Sequence, residues 1–194
     1  MHAPHDAAAS RCPTAVALLS SAWLALLLAA GLNAGWLFST LIKAGVQFRQ
    51  GPAVGIDSEE TGRILAGILA QPGFVGVFLA GMLAGPACAW MLLRAARRTA
   101  GAGRATRLAA LAMLAAAAIG AGQLVLARAI AERAVERTEA LVSGDEVRAT
   151  HAREALDRVH RASELAYGGQ VVLVALGVLL AVWPRDVRPA ANPA

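Results

Sequence analysis

Four polar side chains that lie in otherwise apolar parts of the chain are the first candidates for chemistry. Asparagine, glutamine and tyrosine donate and accept hydrogen bonds without carrying charge at neutral pH, so they can hold an uncharged solute or join helices. We expect them to form hydrogen bonds between helices, and the alternative is that they line a small, outward-opening polar pocket. The four candidate residues are Asn33, Gln123, Tyr167 and Gln170.

The residue types that membrane enzymes use are missing from the same apolar stretches. These stretches contain no Asp, Glu, Lys, Arg or His, and Cys12 and Cys88 are isolated from each other in the sequence. Haem ligation, intramembrane proteolysis and thiol exchange each need such residues at a set spacing. His151 and His160 are nine residues apart, which places them on opposite sides of one helix. We therefore expect no enzymatic activity, no cofactor and no metal site.

The composition indicates whether most of the chain is surrounded by lipid or by water. Of the 194 residues, 57% are hydrophobic and 16% are charged, and the mean hydropathy is +0.55. A soluble domain carries about 25% charged residues, and intrinsic disorder requires low hydrophobicity. The chain is therefore predicted to be an integral membrane protein with the lipid bilayer as its main partner. We interpret its net charge of +5 as a signal of membrane topology and not of nucleic-acid binding.

Four stretches without a charged residue are long enough to cross a bilayer, which requires about 20 apolar residues. They predict an all-α membrane protein, a four-transmembrane-helix antiparallel bundle formed by one domain over residues 13–184. A cleaved signal peptide is the alternative to the first span, but its apolar run exceeds the usual signal core of about 7–15 residues. Residues 1–12 are predicted to be a disordered tail and residues 185–194 a second tail. The predicted spans are residues 15–42, 73–93, 108–127 and 165–183.

A proline divides the region between the first two spans. Because proline disfavours helix in the residue before it and lacks an N–H group, Gln71-Pro72-Gly73 predicts a break in the helix. Residues 57–70 then form a separate helix, with Asp57 and Glu60 spaced as in a capping box. Its apolar face is typical of a helix that lies at the membrane interface.

Residues 128–164 form the one long polar segment between predicted spans. Apolar residues recur there at helical spacing on both sides of Ser143-Gly144-Asp145, which has the composition of a turn. The segment is therefore predicted to be an extramembrane helical hairpin between spans 3 and 4. Its charged residues form either a solvated face or a surface for a protein partner.

The distribution of arginine predicts the orientation. The connection from Arg94 to Arg107 holds five arginines and no acidic residue, and short loops of this kind stay in the cytoplasm. Both termini then lie in the cytoplasm and the hairpin lies outside. The strong excess of arginine over the single lysine, Lys43, and the abundant alanine favour a bacterial protein of the inner (plasma) membrane.

Two pairs of glycines have the spacing that lets membrane helices approach closely. Small residues four positions apart allow backbone contact, which is a main source of attraction between helices in lipid. We predict that these glycines pack helices within one chain, and the alternative is the seam of a homo-oligomer. The pairs are Gly31 with Gly35 and Gly81 with Gly85.

The order of these elements and three short strings resemble the transmembrane-protein-205-like family of bacterial membrane proteins. The strings are Gly35-Trp36-Leu37-Phe38, Thr61-Gly62-Arg63-Ile64-Leu65-Ala66-Gly67 and Val159-His160-Arg161-Ala162-Ser163. The motif residues are Gly62, Arg63, His160 and Ser163. The resemblance implies an uncharacterised four-helix membrane domain over about residues 18–183, and it names no activity.

These patterns favour one function and leave a second open. We expect a non-enzymatic scaffold or interaction protein that binds a protein partner through the external hairpin. The alternative is a transporter-like protein that handles a small solute in the polar pocket formed by the four residues named first.

Overall fold

The computed structural model describes residues 5–47, 58–98 and 104–182, and this part of the chain is almost entirely helical. The all-α prediction is therefore confirmed for these residues. The helices are α1 (His5–Gln47), α2 (Ser58–Arg98), α3 (Arg104–Val142) and α4 (Glu146–Val182). The predicted tail at residues 185–194 and the acidic residue Asp57 lie outside the described residues.

Each of the four helices contains a segment that is long and apolar enough to cross a membrane. Each segment matches or encloses one of the four spans predicted from the sequence, apart from differences of one residue at an end. The membrane-spanning prediction is thus confirmed at the level of length and composition. The segments are Thr14–Leu41, Leu69–Arg97, Arg104–Val142 and Glu146–Val182.

The start of α1 corrects the predicted tail. Residues 5–12 are helical, so the prediction of a disordered tail over residues 1–12 is wrong from His5 onward. The physical reason is composition, because alanine, which occupies positions 7–9, has the highest helix propensity. Once a helix has formed in the apolar segment, extending it adds one hydrogen bond per residue without a new nucleation step.

The course of α2 corrects the predicted break at Pro72. The helix runs from Ser58 to Arg98 with Pro72 and Pro86 inside it, so residues 57–70 do not form a separate helix. Proline removes one main-chain donor, but neighbouring helices can stabilise the segment around it. Phe74 supplies such a contact two residues later, since its ring meets the Tyr167 ring of α4 edge-on with centroids 5.5 Å apart.

The helices pack in chain order, α1 on α2, α2 on α3 and α3 on α4, and α1 also contacts α4. Helices α2 and α3 are antiparallel, since Phe78 of α2 lies opposite Gly120 of α3 and Gly85 of α2 lies opposite Met113 of α3. The core between the helices includes the fully buried side chains of Trp23, Leu27, Leu92, Met113 and Val174.

Large apolar side chains also cover the outside of the helices. Leu32, Leu83 and Leu165 are 75%, 78% and 79% exposed, each within a segment long enough to span a membrane. In water such a surface would promote association, whereas in a bilayer it contacts acyl chains. The outer surface of the helices therefore agrees with a lipid environment.

The connection between α3 and α4 is the tight turn that the sequence predicted. Gly144 has a φ of +74°, which suits glycine, and its N–H donates to the carbonyl oxygen of Leu141. The N–H of Asp145 donates to Ala140, which completes a Schellman motif at the end of α3. The Asp145 carboxylate then accepts the N–H of Arg148 at 2.9 Å and caps α4.

Three of the four glycines predicted to pack helices do so. A Cβ atom on Gly81 would lie 2.6 Å from the Trp23 ring, and one on Gly31 would lie 2.8 Å from the Tyr167 hydroxyl oxygen. Gly85 contacts α3. Gly35 is exposed and no described atom lies within 4 Å of a Cβ built there, so its packing role stays a prediction.

Replacing Gly85 by alanine should destabilise the protein. The new methyl carbon would stand 2.6 Å from Ala117 Cβ and 2.8 Å from the carbonyl oxygen of Met113, so a helix backbone must move. We expect Gly85→Ala to lower the free energy of unfolding by about 1–3 kcal/mol, as overpacking does. Denaturant unfolding in detergent micelles measures it. Gly35→Ala is the matched control and should have no such effect; equal losses in both variants would contradict the close contact.

Candidate functional site

Three of the four predicted pocket residues, together with one serine, form the candidate site. We call Gln123, Ser163, Tyr167 and Gln170 the polar cluster. Gln123 comes from α3 and the other three come from the middle of α4. Gln123 and Gln170 are 1% and 0% exposed, so their amides are removed from any solvent and must find partners inside the protein.

Gln123 and Ser163 bind each other through two hydrogen bonds. The amide nitrogen of Gln123 donates to the carbonyl oxygen of Ser163 at 2.7 Å, and the Ser163 hydroxyl donates to Gln123 Oε1, also at 2.7 Å. The pair therefore satisfies both functional atoms of the glutamine side chain. It fixes the register of α3 against α4 at this level.

Tyr167 connects α4 to two other helices. Its hydroxyl donates a hydrogen bond to the carbonyl oxygen of Leu27 in α1. Its ring meets the Phe74 ring of α2 edge-on, with centroids 5.5 Å apart and an interplanar angle of 88°. Gly31 makes room for the hydroxyl group, because any larger residue there would occupy the same space. The tyrosine thus acts as a packed, hydrogen-bonded contact between helices.

Gln170 is the least satisfied member of the polar cluster. Its amide nitrogen donates to the carbonyl oxygen of Ala116 at 3.1 Å. The same nitrogen lies 2.8 Å from the position that a Cβ atom on Gly120 would occupy. Its Oε1 atom, like Nε1 of Trp23, is buried without a hydrogen-bond partner among the described residues. Such atoms are destabilising in an apolar interior unless water or a ligand reaches them.

Asn33 does not belong to the polar cluster, which disagrees with the alternative of one pocket lined by all four residues. Its side chain is exposed on α1 and has no hydrogen-bond partner among the described residues. The buried stripe of α1 passes through Leu27 and Ala34. Because successive residues of a helix are turned by about 100°, Asn33 faces away when Ala34 faces the core.

The chemistry open to the polar cluster is hydrogen bonding. A serine becomes a nucleophile when a base accepts its proton, but the Ser163 hydroxyl donates to an amide oxygen, which is not a base at neutral pH. None of the four side chains carries a charge at that pH. The arrangement therefore suits adhesion between helices or contact with an uncharged molecule, and it offers no acid–base pair.

The remaining motif residues are spread over the structure. His160 is exposed and lies 3.5 Å from Glu164, as expected for a charged helix surface. Gly62 is buried in α2, and the Arg63 side chain lies outside the described residues. Within the described residues, no group of three or more His, Cys, Asp or Glu side chains is placed to hold a metal ion.

A second candidate site is a shallow groove on the hairpin, which we call the hairpin groove. Arg133 and Glu136 of α3 form one side, paired at 2.6 Å. Arg148 and His151 of α4 form the other side, and Arg148 reaches Glu139 across the hairpin at 3.7 Å. These groups are at least partly exposed, so they can exchange their present ion pairs for a charged partner at little cost.

The partner of Gln123 was missed at the sequence level, although the sequence contains a signal for it. Gln123 and Ser163 each lie twenty residues from Ser143, at the centre of the turn, and residues equidistant from the turn of an antiparallel hairpin lie opposite each other. Ala116 and Gln170 are likewise each 27 residues from Ser143. No comparable spacing in the sequence predicts that Trp23 is buried against Gly81.

Comparison of the chain with protein-family models, with curated proteins and with solved structures found no match. The resemblance to the transmembrane-protein-205-like family therefore stays a prediction from three short strings.

Removing the Gln123–Ser163 contact should cost stability in a coupled manner. We expect Gln123→Leu and Ser163→Ala each to lower the free energy of unfolding in micelles by about 1 kcal/mol, since interhelical hydrogen bonds in membranes are worth about 0.6–1.7 kcal/mol. The double variant should lose little more than either single variant. Asn33→Leu is the control and should cause no loss. Fully additive effects of the two changes would contradict a direct contact.

Proposed function

We propose that the chain is a multi-pass protein of a bacterial inner membrane and acts as a non-enzymatic scaffold or interaction protein. In this proposal the four spans form an antiparallel bundle with both termini in the cytoplasm, and a protein partner binds the α3–α4 hairpin outside. The observation that carries it is a division of polar groups: the polar cluster bonds inside the protein, to its own members or to main-chain carbonyl oxygens, while the charged groups of the hairpin are exposed.

The lengths of α3 and α4 support an extramembrane hairpin. At about 1.5 Å per residue, the 39 residues of α3 extend about 58 Å, which is nearly twice the hydrocarbon thickness of a bilayer. The 37 residues of α4 extend about 55 Å. Since the apolar segments occupy the ends away from the turn, the charged ends near Gly144 project from the membrane on one side.

The surface of the hairpin supports a binding role. The pairs Arg128–Glu132, at 2.8 Å, and Arg133–Glu136 are exposed, and exposed pairs add little to stability. Their main physical effect is to present fixed positive and negative groups in a defined pattern. A partner with the complementary pattern gains orientation and association rate from such groups.

A solute-handling function is the second candidate, and one observation favours it. Gln170 Oε1 and Trp23 Nε1 are buried polar atoms without a described partner. Gln170 Oε1 accepts hydrogen bonds and Trp23 Nε1–H donates one, so a small uncharged molecule could bind to either atom. Against this candidate, Asn33 faces away from the polar cluster, and Gln123, Ser163 and Tyr167 already bond within the protein.

The topology of the proposal can be measured by cysteine labelling in intact cells. In a Cys12→Ser, Cys88→Ala background, Ser143→Cys at the turn should react with a membrane-impermeant thiol reagent added outside. A cysteine added after Ala194 should react only once the membrane is permeabilised, because the arginine-rich connection holds that side in the cytoplasm. The reverse pattern would overturn the orientation, and labelling of both sites in intact cells would show that α4 does not cross the membrane.

Reversing charge in the hairpin groove should abolish partner binding. We expect Arg133→Glu with Arg148→Glu, in the full-length tagged chain purified from native membranes, to reduce the co-purifying partner by about ten-fold or more, the equivalent of about 1.4 kcal/mol. The matched control is Arg153→Glu with Arg161→Glu, which changes the charge equally on exposed positions of α4 that do not line the groove. The measurement is quantitative mass spectrometry of the captured proteins.

One outcome of that experiment, and one of a separate phenotype or flux measurement, would contradict the groove as the working surface. Equal loss of the partner in the groove and control variants would show that total charge, and not position, governs capture. In the second, cells are compared for a phenotype or a solute flux that depends on the natural chain. If Gln170→Leu abolished it while the groove variant left it intact, the solute-handling function would replace the scaffold function.

A further inference from the structure

Arginines at the two ends of the helices have different surroundings. On the hairpin, Arg128, Arg133 and Arg148 each pair with a glutamate at 2.8, 2.6 and 3.7 Å. At the opposite end, α2 and α3 carry four exposed arginines that form no ion pair with a described residue. We call these four the arginine patch: Arg94, Arg97, Arg104 and Arg107.

The arginine patch combines residues of two neighbouring helices, α2 and α3, that lie at the same height along the helix axes. Gly85 of α2 lies opposite Met113 of α3. In antiparallel helices, nine residues further along α2 and nine residues back along α3 reach the same height. These positions are Arg94 and Arg104. No acidic residue occurs from Arg94 to Arg107, so the positive charges reinforce one another.

An aromatic side chain lies directly on the apolar side of the patch. The Arg94 guanidinium stands 5.0 Å from the centre of the Trp90 ring, which is a cation–π contact. The Trp90 side chain is 59% exposed. Tryptophan at the end of an apolar span is typical of the membrane–water interface, where its ring lies at the level of the headgroups.

Exposed apolar side chains continue from the patch toward the middle of the spans. Leu93 of α2 and Leu108 and Leu111 of α3 are 40%, 53% and 61% exposed. A ligand that satisfies both halves of this surface must carry a negative charge at one end and hydrocarbon at the other. Phosphate alone or an acidic peptide would match only the arginines.

We infer that the arginine patch and Trp90 form a binding site for anionic phospholipid. The guanidinium groups contact the phosphate and the negatively charged headgroup, for which their planar donor arrangement is suited. Trp90 and the exposed leucines contact the glycerol region and the acyl chains. The inference rests on the proposed membrane residence of the chain, but not on any role of the hairpin.

The test uses tryptophan fluorescence of the full-length chain in vesicles. The fluorescence of Trp90, taken as the difference between the natural chain and Trp90→Phe, is quenched by brominated phosphatidylglycerol or by brominated phosphatidylcholine at equal mole fraction. The ratio of the two quenching efficiencies gives the relative affinity for the anionic lipid. We expect a preference of about five-fold or more, since one arginine near an anionic lipid surface contributes about that factor.

Matched variants separate the patch from total charge. Arg94→Gln with Arg97→Gln and Arg104→Gln should lower the preference by about five-fold or more, since each arginine contributes about that factor. Arg153→Gln with Arg158→Gln and Arg161→Gln removes the same charge from exposed positions at the other end and should leave the preference unchanged. If the first triple variant does not fold, Arg94→Gln alone should still lower the ratio, and Arg94→Lys should restore part of it.

Four results would overturn the site. They are equal quenching by the two lipids in the natural chain, an unchanged ratio in the patch variant, an equal fall in both triple variants, or loss of the preference when millimolar inorganic phosphate is added at constant ionic strength. The last result would identify a site for a soluble anion. The hairpin groove variants should leave the lipid ratio unchanged, so failure of either proposal is recognised independently.

Discussion

A hydrogen-bonding side chain within hydrocarbon has no water to bond, so its own protein has to supply the partner. Gln123 and Ser163 meet this constraint by joining α3 to α4, and Tyr167 meets it by donating to Leu27 of α1. The few polar groups of the spans are thus placed where helices meet, and each contact fixes a register. A shift of α4 by one residue would break all of these bonds together.

Packing of small residues against large ones supplies the rest of the attraction between the helices. Trp23 lies on Gly81, and Met113 lies against Gly177, so a large side chain of one helix enters a depression on its neighbour. Because acyl chains are as apolar as leucine, such fitting contacts, and not removal from water, hold helices together in a bilayer. Along α4 the hydrogen bonds of the polar cluster come first, and the contact at Gly177 follows Gln170 by about two turns.

The sequence was sufficient to predict the four apolar segments and the turn, but not the ends of α1 and α2 or the side that each residue faces. Absence of charge located the four apolar segments, and the turn residues located Gly144, because both depend on residue type alone. Asn33 and Gln123 are chemically alike, yet one is exposed and the other buried. Their difference is a matter of helix rotation, which tertiary packing decides. Pro72 likewise acts on one local hydrogen bond, and the packing around it determines whether the helix continues.

The same residue type serves different purposes at the two ends because its neighbours differ. The hairpin, over residues 128–164, combines seven arginines with eight acidic residues. The electric field of each charge is therefore largely cancelled by a neighbouring charge of opposite sign and acts only over a short distance. The connection from Arg94 to Arg107 has five arginines and no acid, so its positive field extends outward and attracts anions. A surface of paired charges discriminates between shapes of partner, whereas a surface of unpaired charge attracts any dense layer of anions. A bilayer with anionic headgroups provides such a layer on the side where arginine accumulates, and the two ends of the molecule are therefore suited to different kinds of partner.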